Sequence, residues 1–166
     1  MTNQAMHTLV IGSGTMGPSL ALCLALAGHH TVLVARRSEA LAGAEAAIEI
    51  GYRELAEAEL LPAAAEGWRG RLSFATDVAA AAQNVDFAFE AISEIAAEKQ
   101  ALFAALDAAA PPEAILASTT SGMAVNIIAK QCSRKERIAV AHFANPPHLM
   151  PVVEVVPGSA TDSAVM

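Results

Sequence analysis

Long apolar runs, cysteines and aromatic side chains are all scarce in this sequence, and each scarcity excludes a class of protein. The longest apolar stretch, from Ser19 to Ala27, is too short to span a bilayer. The residues before the first predicted strand contain no lysine, no arginine and no apolar segment of a secretory signal. We therefore expect no membrane partner and a cytoplasmic location.

The sequence contains two cysteines, Cys23 and Cys132, which are too few for a disulfide framework. Both stand in apolar or helical surroundings, so we predict buried, reduced thiols. No histidine pair combines metal-ligand spacing with acidic or thiol ligands, and we predict no metal site. Four of the five histidines are expected to have no role in a site: His7, His29, His30 and His148.

Basic residues are in the minority, and the formal net charge is −7. Proteins that bind nucleic acid by neutralising its phosphates need the opposite balance, so we expect no nucleic-acid partner. Anionic ligands remain compatible with this charge, because helix ends and single arginines can hold them. Apolar residues make up 54% of the chain and aromatic residues 4%. This composition predicts closely packed helices over a sheet rather than a disordered chain.

Short apolar, β-branched segments alternate with helical segments along the 166 residues. The predicted strands are Thr8–Ile11, Thr31–Val34, Leu72–Phe74, Val85–Ala91, Ile115–Ser118, Ile138–His142 and Pro151–Val156. The predicted helices are Met16–Ala27, a segment from a Ser38 cap to about Leu60 that Pro62 ends, Ala63–Trp68, one opened by Asp77, Ala96–Ala109 and Ala124–Lys130. Such alternation forms right-handed βαβ units. We therefore predict one α/β domain over residues 1–166, a Rossmann-type doubly wound, mainly parallel sheet flanked by helices.

A G-x-G-x-x-G turn joins the first predicted strand to the first predicted helix. Gly12 permits the tight turn, Gly14 lets backbone amides approach a pyrophosphate, and Gly17 lets the helix pack closely on the strand. The turn and the helix start, with Thr15 and Met16, therefore predict a dinucleotide-binding site. The alternative is a glycine turn that serves only the fold.

The end of the second predicted strand bears on the choice of cofactor. A carboxylate there would hydrogen-bond the ribose 2′-hydroxyl of NAD, but this sequence has Ala35 followed by Arg36 and Arg37. Arginine can bind the 2′-phosphate of NADP through two hydrogen bonds, whereas a carboxylate would repel it. The predicted cofactor is NAD or NADP, with NADP favoured and Arg36 as its contact. The alternative is a pair of solvated arginines, with NAD bound through the other ribose hydroxyl.

Four motifs occur together in this sequence: the glycine turn with Met16 inside it, Phe87–Ala91 with Glu94 after it, Ser118–Ser121, and His142–Pro146 leading to Val153–Val155. Through these motifs the sequence resembles, over nearly its whole length, the N-terminal, NAD-binding domain of the 3-hydroxyacyl-CoA dehydrogenase family. The last motif is the most specific, because other Rossmann families lack it.

The resemblance implies a nicotinamide-dependent interconversion of 3-hydroxyacyl-CoA and 3-oxoacyl-CoA. It implies that His142 exchanges the proton that moves with the hydride, and that Glu154 orients and stabilises the imidazolium. From the residues alone, a structural hydrogen bond explains this pair equally well. Further implied contacts are Ser121 with the substrate oxygen, Asn145 with substrate or cofactor, and Glu94 and Lys99 with the nicotinamide side of the cofactor.

The sequence departs from the family's pattern at three places. Thr119 stands where the family commonly has asparagine, and Ala35 stands where it has an acidic residue. Pro146-Pro147-His148 is similar to the sequence of relatives that act on sugar acids or carnitine. Two alternatives therefore stay open: a dehydrogenase of a free hydroxy acid on the same scaffold, and a catalytically silent nucleotide-binding module.

Length is the largest departure. Members of the family continue into a helical domain that closes the substrate cleft and forms most of the dimer interface, and we expect that domain to be absent from these 166 residues. These residues alone are expected to bind nucleotide but to turn over slowly or not at all, because half a cleft cannot exclude water or position acyl-CoA. A complete form is expected to be a homodimer.

Overall fold

A seven-stranded sheet forms the centre of the computed structural model, which describes residues 4–166. Its strands are β1 (His7–Ile11), β2 (His30–Val34), β3 (Leu72–Ala75), β4 (Phe87–Glu90), β5 (Ile115–Ser118), β6 (Ile138–Phe143) and β7 (Val153–Pro157). Their spatial order is β3-β2-β1-β4-β5-β6-β7, with β1 to β6 parallel and β7 antiparallel to β6. The predicted doubly wound, mainly parallel sheet is confirmed.

Helices pack on both faces of this sheet. They are α1 (Met16–Leu26), α2 (Glu39–Glu57), α3 (Val78–Ala81), α4 (Ala96–Ala109) and α5 (Val125–Ile128). Short 3-10 turns lie at Ala63–Ala65, Trp68–Arg71, Ala129–Gln131, Lys135–Arg137 and Ser163–Val165. No helix in this described range is both long and apolar enough to cross a membrane.

The buried side chains form two clusters, one on each face of the sheet. Leu9 and Ile11 of β1 belong to one cluster and Val10 to the other, because successive strand residues point to opposite faces. Phe103 of α4 lies in the first cluster, and Trp68 lies in the second, against α1 and α2. The sheet is therefore held from both sides, which fixes the positions of its strand ends.

Helix α2 begins directly after Ser38 as predicted, but the capping hydrogen bond of Ser38 and the predicted end of the helix are wrong. Ser38 has helical backbone angles and its side chain makes no capping hydrogen bond, whereas a capping residue needs extended angles to aim its oxygen at the next amides. The helix ends at Glu57, and Glu59 turns the chain with a φ of 57° before Pro62 is reached. Asp77 does cap α3, because its extended backbone lets the carboxylate accept from Ala80 N at 3.0 Å.

Two other helical predictions need correction. The segment Ala63–Trp68 is not a helix, because Gly67 adopts a φ of 71° and separates two short 3-10 turns. The segment Ala124–Lys130 is helical only from Val125 to Ile128 and then tightens into a 3-10 turn. Isolated helices this short gain little stability by themselves, so packing against the sheet decides their form.

The cysteines form no disulfide with each other. Cys132 is buried as predicted, and Cys23 is only partly buried. Burial raises the pKa of each thiol to about 11. Both side chains are therefore protonated at neutral pH and lack the nucleophilic thiolate form.

Candidate active site

The carboxyl ends of the six parallel strands meet at one edge of the sheet. The strand order reverses between β1 and β4, so the connections leave these two strands toward opposite faces. Open α/β sheets bind ligands in the crevice that such a reversal creates. The cavities at this edge include an inner cavity of about 590 Å³ beside β6 and an outer cavity of about 680 Å³ beside β2.

The inner cavity brings together most of the predicted site residues. Seven of them lie on its wall: Gly14, Thr15, Met16, Glu94, Ser121, His142 and Asn145. They come from the glycine turn, from the loops after β4 and β5, and from the end of β6. Residues more than a hundred positions apart in the chain thus share one wall, because parallel strands deliver their following loops to the same edge.

The outer cavity continues the inner one. Both are lined by Gly14 and by the Ala91–Ser93 segment, so together they form one groove across the carboxyl edge of the sheet. At its far end the outer cavity is lined by Ala35, Arg36 and Arg37. An elongated groove with a glycine turn at its middle suits a ligand made of two linked nucleotides.

The glycine turn is fixed by close backbone contacts. Gly12 has a φ of 123°, and a Cβ there would stand 2.3 Å from Ala91 O. A Cβ on Gly17 would stand 1.7 Å from Gly12 O, whereas a Cβ on Gly14 would meet no atom within 4 Å. Gly12 and Gly17 therefore serve the fold, and Gly14 leaves bare backbone facing the groove.

The first turn of α1 is open to an anion. Thr15, at its N-cap, makes no side-chain capping hydrogen bond, and the first turn of the helix has no acidic residue. The amides at the start of this 11-residue helix are thus not capped by a side chain, and the helix dipole favours negative charge at this end. This arrangement fits the pyrophosphate of a dinucleotide.

His142 and Glu154 face each other across the only antiparallel pair of strands that the described residues contain. They are direct partners in the register of β6 and β7, and Nδ1 of His142 lies 2.8 Å from Oε2 of Glu154. An ionised carboxylate can only accept, so Nδ1 carries the hydrogen and a neutral ring has its lone pair on Nε2. The pair can therefore take up a proton at Nε2 while the carboxylate stabilises the resulting imidazolium.

Glu154 is not on the wall of the inner cavity. It lines a neighbouring cavity of about 350 Å³, which shares His142 and Ser121 with the inner one. The side chain of Glu154 is 71% exposed, and that of His142 is 36% exposed. Glu154 thus acts on the inner cavity indirectly, through its hydrogen bond to the ring of His142.

Glu94 ties the loop after β4 to the loop after β5. Its carboxylate accepts from Thr120 Oγ1 at 2.9 Å and from Ser121 N at 3.3 Å. Thr120 Oγ1 in turn accepts from the backbone N–H groups of Gly122 and Met123. Glu94 therefore positions Ser121 on the cavity wall as well as lining the wall itself.

Lys99, in contrast, does not line either the inner or the outer cavity. Its side chain is 1% exposed, and its ammonium lies 2.5 Å from Glu90 Oε1 and 3.5 Å from Glu94 Oε2. The structure thus places this predicted cofactor contact beneath the wall, where it holds two carboxylates.

Glu90 is a buried part of the site that its residue type alone did not reveal. Its side chain is fully buried, and it accepts from Lys99, from Ser118 Oγ at 2.6 Å and from Ile92 N at 2.8 Å. The available signal was a carboxylate inside the apolar strand β4, since buried acids are rare unless they are paired. Its side-chain partners, Lys99 on α4 and Ser118 on β5, belong to other elements and meet it only in the fold.

His148, for which we expect no role in the chemistry, has two specific structural partners. Nδ1 lies 2.7 Å from Ser19 Oγ and Nε2 lies 2.8 Å from Glu54 Oε2. The ring thus joins the loop after β6 to α1 and α2. Because Asn145 belongs to the same loop, these contacts help to fix the border of the inner cavity.

The chain matches a known family model over almost all of its length. The model is described as the NAD binding domain of 3-hydroxyacyl-CoA dehydrogenase, and it matches residues 7–166. The match therefore includes the glycine turn, the inner cavity and the His142–Glu154 pair.

Individual relatives and a solved structure agree with this match. The chain is 38% identical to 3-hydroxyadipyl-CoA dehydrogenase of Escherichia coli over 158 residues, which are 95% of this chain and 33% of that protein. It is 38% identical to the mitochondrial hydroxyacyl-coenzyme A dehydrogenase of Homo sapiens, over 90% of this chain and 50% of that protein. A crystal structure of 3-hydroxybutyryl-CoA dehydrogenase from Escherichia coli superposes with a TM-score of 0.89 at 37% identity, covering 98% of this chain and 34% of that one. The chain thus spans about a third to a half of these relatives.

Proposed function

Because the chain belongs to the 3-hydroxyacyl-CoA dehydrogenase family, through that family's NAD-binding domain, we propose that it binds the cofactor and supplies the proton-transfer residues of an oxidoreductase that interconverts 3-hydroxyacyl-CoA and 3-oxoacyl-CoA. One observation carries the proposal: the inner cavity joins the start of α1 to His142, Ser121 and Asn145 on a single wall. Cofactor and substrate can therefore meet beside a group that exchanges protons.

Residues 1–166 form, in this proposal, one nucleotide-binding domain. The acyl-CoA cleft needs a second wall, because the inner cavity is open and its floor alone cannot exclude water. A helical domain outside these residues would supply that wall and the surface for a homodimer. The match to only a third or a half of the relatives' length supports this division.

His142 is the proposed base when the 3-hydroxyl group is oxidised. A bound nicotinamide ring supplies the hydride chemistry. His142 Nε2 accepts the hydroxyl proton, and Glu154 stabilises the positive charge through the hydrogen bond to Nδ1. Ser121 hydrogen-bonds the substrate oxygen, and Asn145, on the same wall, holds substrate or cofactor near the ring. In the reverse direction the imidazolium returns the proton to the forming alcohol.

Glu94 and Lys99 have supporting roles in this proposal. Glu94 lines the inner cavity and holds the Ser121 backbone, and in this proposal it lies near the nicotinamide side of the cofactor. Lys99 keeps the carboxylates of Glu94 and Glu90 in place from below. Lys99 therefore supports the cofactor site indirectly, by holding these two carboxylates in place.

The cofactor proposed for the groove is NAD or NADP, with a mild preference for NADP. Ala35 lies at the end of β2 without a carboxylate to repel a 2′-phosphate, and Arg36 and Arg37 line the outer cavity beside it. An arginine at that place can bind phosphate through two hydrogen bonds. The family's NAD-binding domain is the basis for including NAD.

A substrate panel tests the proposed reaction. With the full-length protein, or with this domain supplemented by its helical partner domain, we expect kcat/KM for 3-hydroxybutyryl-CoA to exceed that for free 3-hydroxybutyrate, carnitine and sugar acids by at least roughly tenfold. The reason is that binding energy from the remote CoA portion contributes to the transition state. The measurement is the initial rate of formation of the reduced nicotinamide.

The other results of this panel distinguish the alternatives. A higher kcat/KM for a free hydroxy acid would contradict the acyl-CoA proposal and favour a hydroxy-acid dehydrogenase. Cofactor binding without turnover of any substrate would favour a catalytically silent module. Efficient turnover by residues 1–166 alone would contradict the need for a second wall.

A further inference from the structure

A single carboxylate, that of Glu98, is found among the residues that line the outer cavity, all of which the structure describes. Glu98 lies in the first turn of α4, and Arg36 follows β2 on the other side of the cavity. Glu98 Oε2 and Arg36 Nη2 are 3.2 Å apart, so the two side chains form an ion pair. Arg36, the predicted contact of the 2′-phosphate of NADP, is therefore paired with the negatively charged Glu98.

The pair is exposed, which makes it easy to break. The side chain of Arg36 is 81% exposed and that of Glu98 is 37% exposed. Exposed ion pairs contribute little to stability and exchange readily with water and salt. An incoming phosphate can therefore replace Glu98 as the partner of Arg36, but only if it tolerates the nearby carboxylate.

A hydroxyl and a phosphate at the ribose 2′ position meet different conditions here. A 2′-hydroxyl carries no charge and can donate a hydrogen bond to Glu98. A 2′-phosphate gains Arg36 but lies close to the negative charge of Glu98, and like charges at this range repel even where water screens them. Ala35, at the end of β2, can neither accept a hydrogen bond from the 2′-hydroxyl through its side chain nor repel the 2′-phosphate.

We propose that Glu98 is a specificity-determining residue for the cofactor's 2′ position. Its carboxylate forms an ion pair with Arg36 and repels the 2′-phosphate. It therefore limits the preference for NADP that Ala35 and the two arginines would otherwise produce. The acidic group that discriminates between NAD and NADP thus stands on α4 instead of at the end of β2. This inference rests on the proposed function, because it requires a dinucleotide in the groove.

The test is a set of fluorescence titrations with NADH and NADPH on the wild-type protein and on Glu98→Gln. Glutamine keeps the size of the side chain and removes its charge. We expect the ratio of the Kd for NADH to the Kd for NADPH to rise about tenfold, an effect of the size that one removed like charge at close range produces. An unchanged ratio would overturn the inference.

Two further variants identify the route of the effect. In an Arg36→Ala background, Glu98→Gln is expected to raise the ratio clearly less than tenfold, because only the direct repulsion between Glu98 and the phosphate remains and no arginine is released from an ion pair. Glu113→Gln is the matched control, since Glu113 is exposed and precedes β5 at the opposite edge of the sheet. This control is expected to leave the ratio unchanged.

The remaining outcomes separate the inference from its premise. An equal rise in Glu113→Gln, or a full tenfold rise without Arg36, would overturn the role assigned to the Arg36–Glu98 pair. Failure of folded wild-type protein to bind either nucleotide would instead overturn the proposed function. Normal binding of both nucleotides with an unmoved ratio in Glu98→Gln would overturn only the inference.

Discussion

Replacement of His142 with glutamine is expected to lower kcat for 3-hydroxybutyryl-CoA by roughly 10²- to 10⁴-fold, the range that a positioned acid–base group contributes. Glutamine can fill the same space and hydrogen-bond Glu154, but it cannot take up a proton. The cofactor affinity is expected to change little, because the glycine turn and the start of α1 remain intact. Steady-state kinetics of the full-length protein and an NADH titration measure the two effects.

Two variants support the interpretation of this result. His30→Gln removes a histidine at the amino end of β2, far from the inner cavity, and is expected to leave kcat within about twofold, as for an ordinary surface change. Glu154→Gln keeps a hydrogen-bonding partner for His142 but removes the charge that stabilises the imidazolium, so an intermediate loss of kcat is expected. Retention of full turnover by His142→Gln would refute its assignment as the base.

Replacement of Lys99 with methionine is expected to lower the free energy of unfolding by about 3–5 kcal/mol, the cost of leaving a buried charge without its partner. Glu90 is fully buried, and Lys99 is the only cation that the structure, over residues 4–166, places in an ion pair with it. Methionine fills the same volume, so packing changes little. Urea denaturation of the wild type and the variant measures the loss.

Paired variants test whether charge is the cause. The double variant Lys99→Met/Glu90→Gln is expected to recover much of the lost stability, because it replaces the buried ion pair by neutral groups. Arg36→Met removes a cation from an exposed pair and is expected to cost less than about 1 kcal/mol. A loss below about 1 kcal/mol for Lys99→Met itself would show that the Glu90 carboxylate tolerates isolation, contrary to this account.

The strands and the glycine turn could be predicted because their signals are local. The apolar runs of β1 and β5 and the glycines at positions 12, 14 and 17 depend on residues that are adjacent in the sequence. The mainly parallel arrangement of the sheet follows from the alternation of strands and helices, since such alternation forms right-handed βαβ units. Once the strand ends share one edge, the inner cavity follows.

Features that depend on distant partners could not be predicted in this way. Glu90 is a charged residue in an apolar strand, and the sequence does not show what compensates its charge. The structure shows that the buried ammonium of Lys99, nine positions later on α4, pairs with it. Glu98 has the pattern of a solvated helix residue, and only the structure brings it 3.2 Å from Arg36, which is 62 positions away. His148 lies in a proline-rich loop, and its contacts with Ser19 and Glu54 cross 129 and 94 positions.

The helix ends show a second limit of local reasoning. Ser38 and Asp77 are both residue types that favour the N-cap position, yet only Asp77 has the extended backbone that aims its side chain at a free amide. The residue type therefore indicates a possible cap, and the backbone angles that tertiary packing imposes decide whether it forms. The same reasoning applies to Gly67, whose left-handed conformation divides a segment of high helix propensity.

The central claim is that a dinucleotide rests its pyrophosphate on the bare backbone at Gly14 and the start of α1. Titration of NADH and NADPH into the wild type and into Gly14→Ala tests it most directly, because a Cβ on Gly14 would enter open groove without touching the fold. We predict saturable binding by the wild type, at least roughly tenfold weaker binding by Gly14→Ala, and a melting temperature within about 3 °C of the wild type, as expected for a substitution that strains nothing. Well-folded protein that binds neither nucleotide at millimolar concentration, or a Gly14→Ala variant that binds as tightly as the wild type, would contradict the claim.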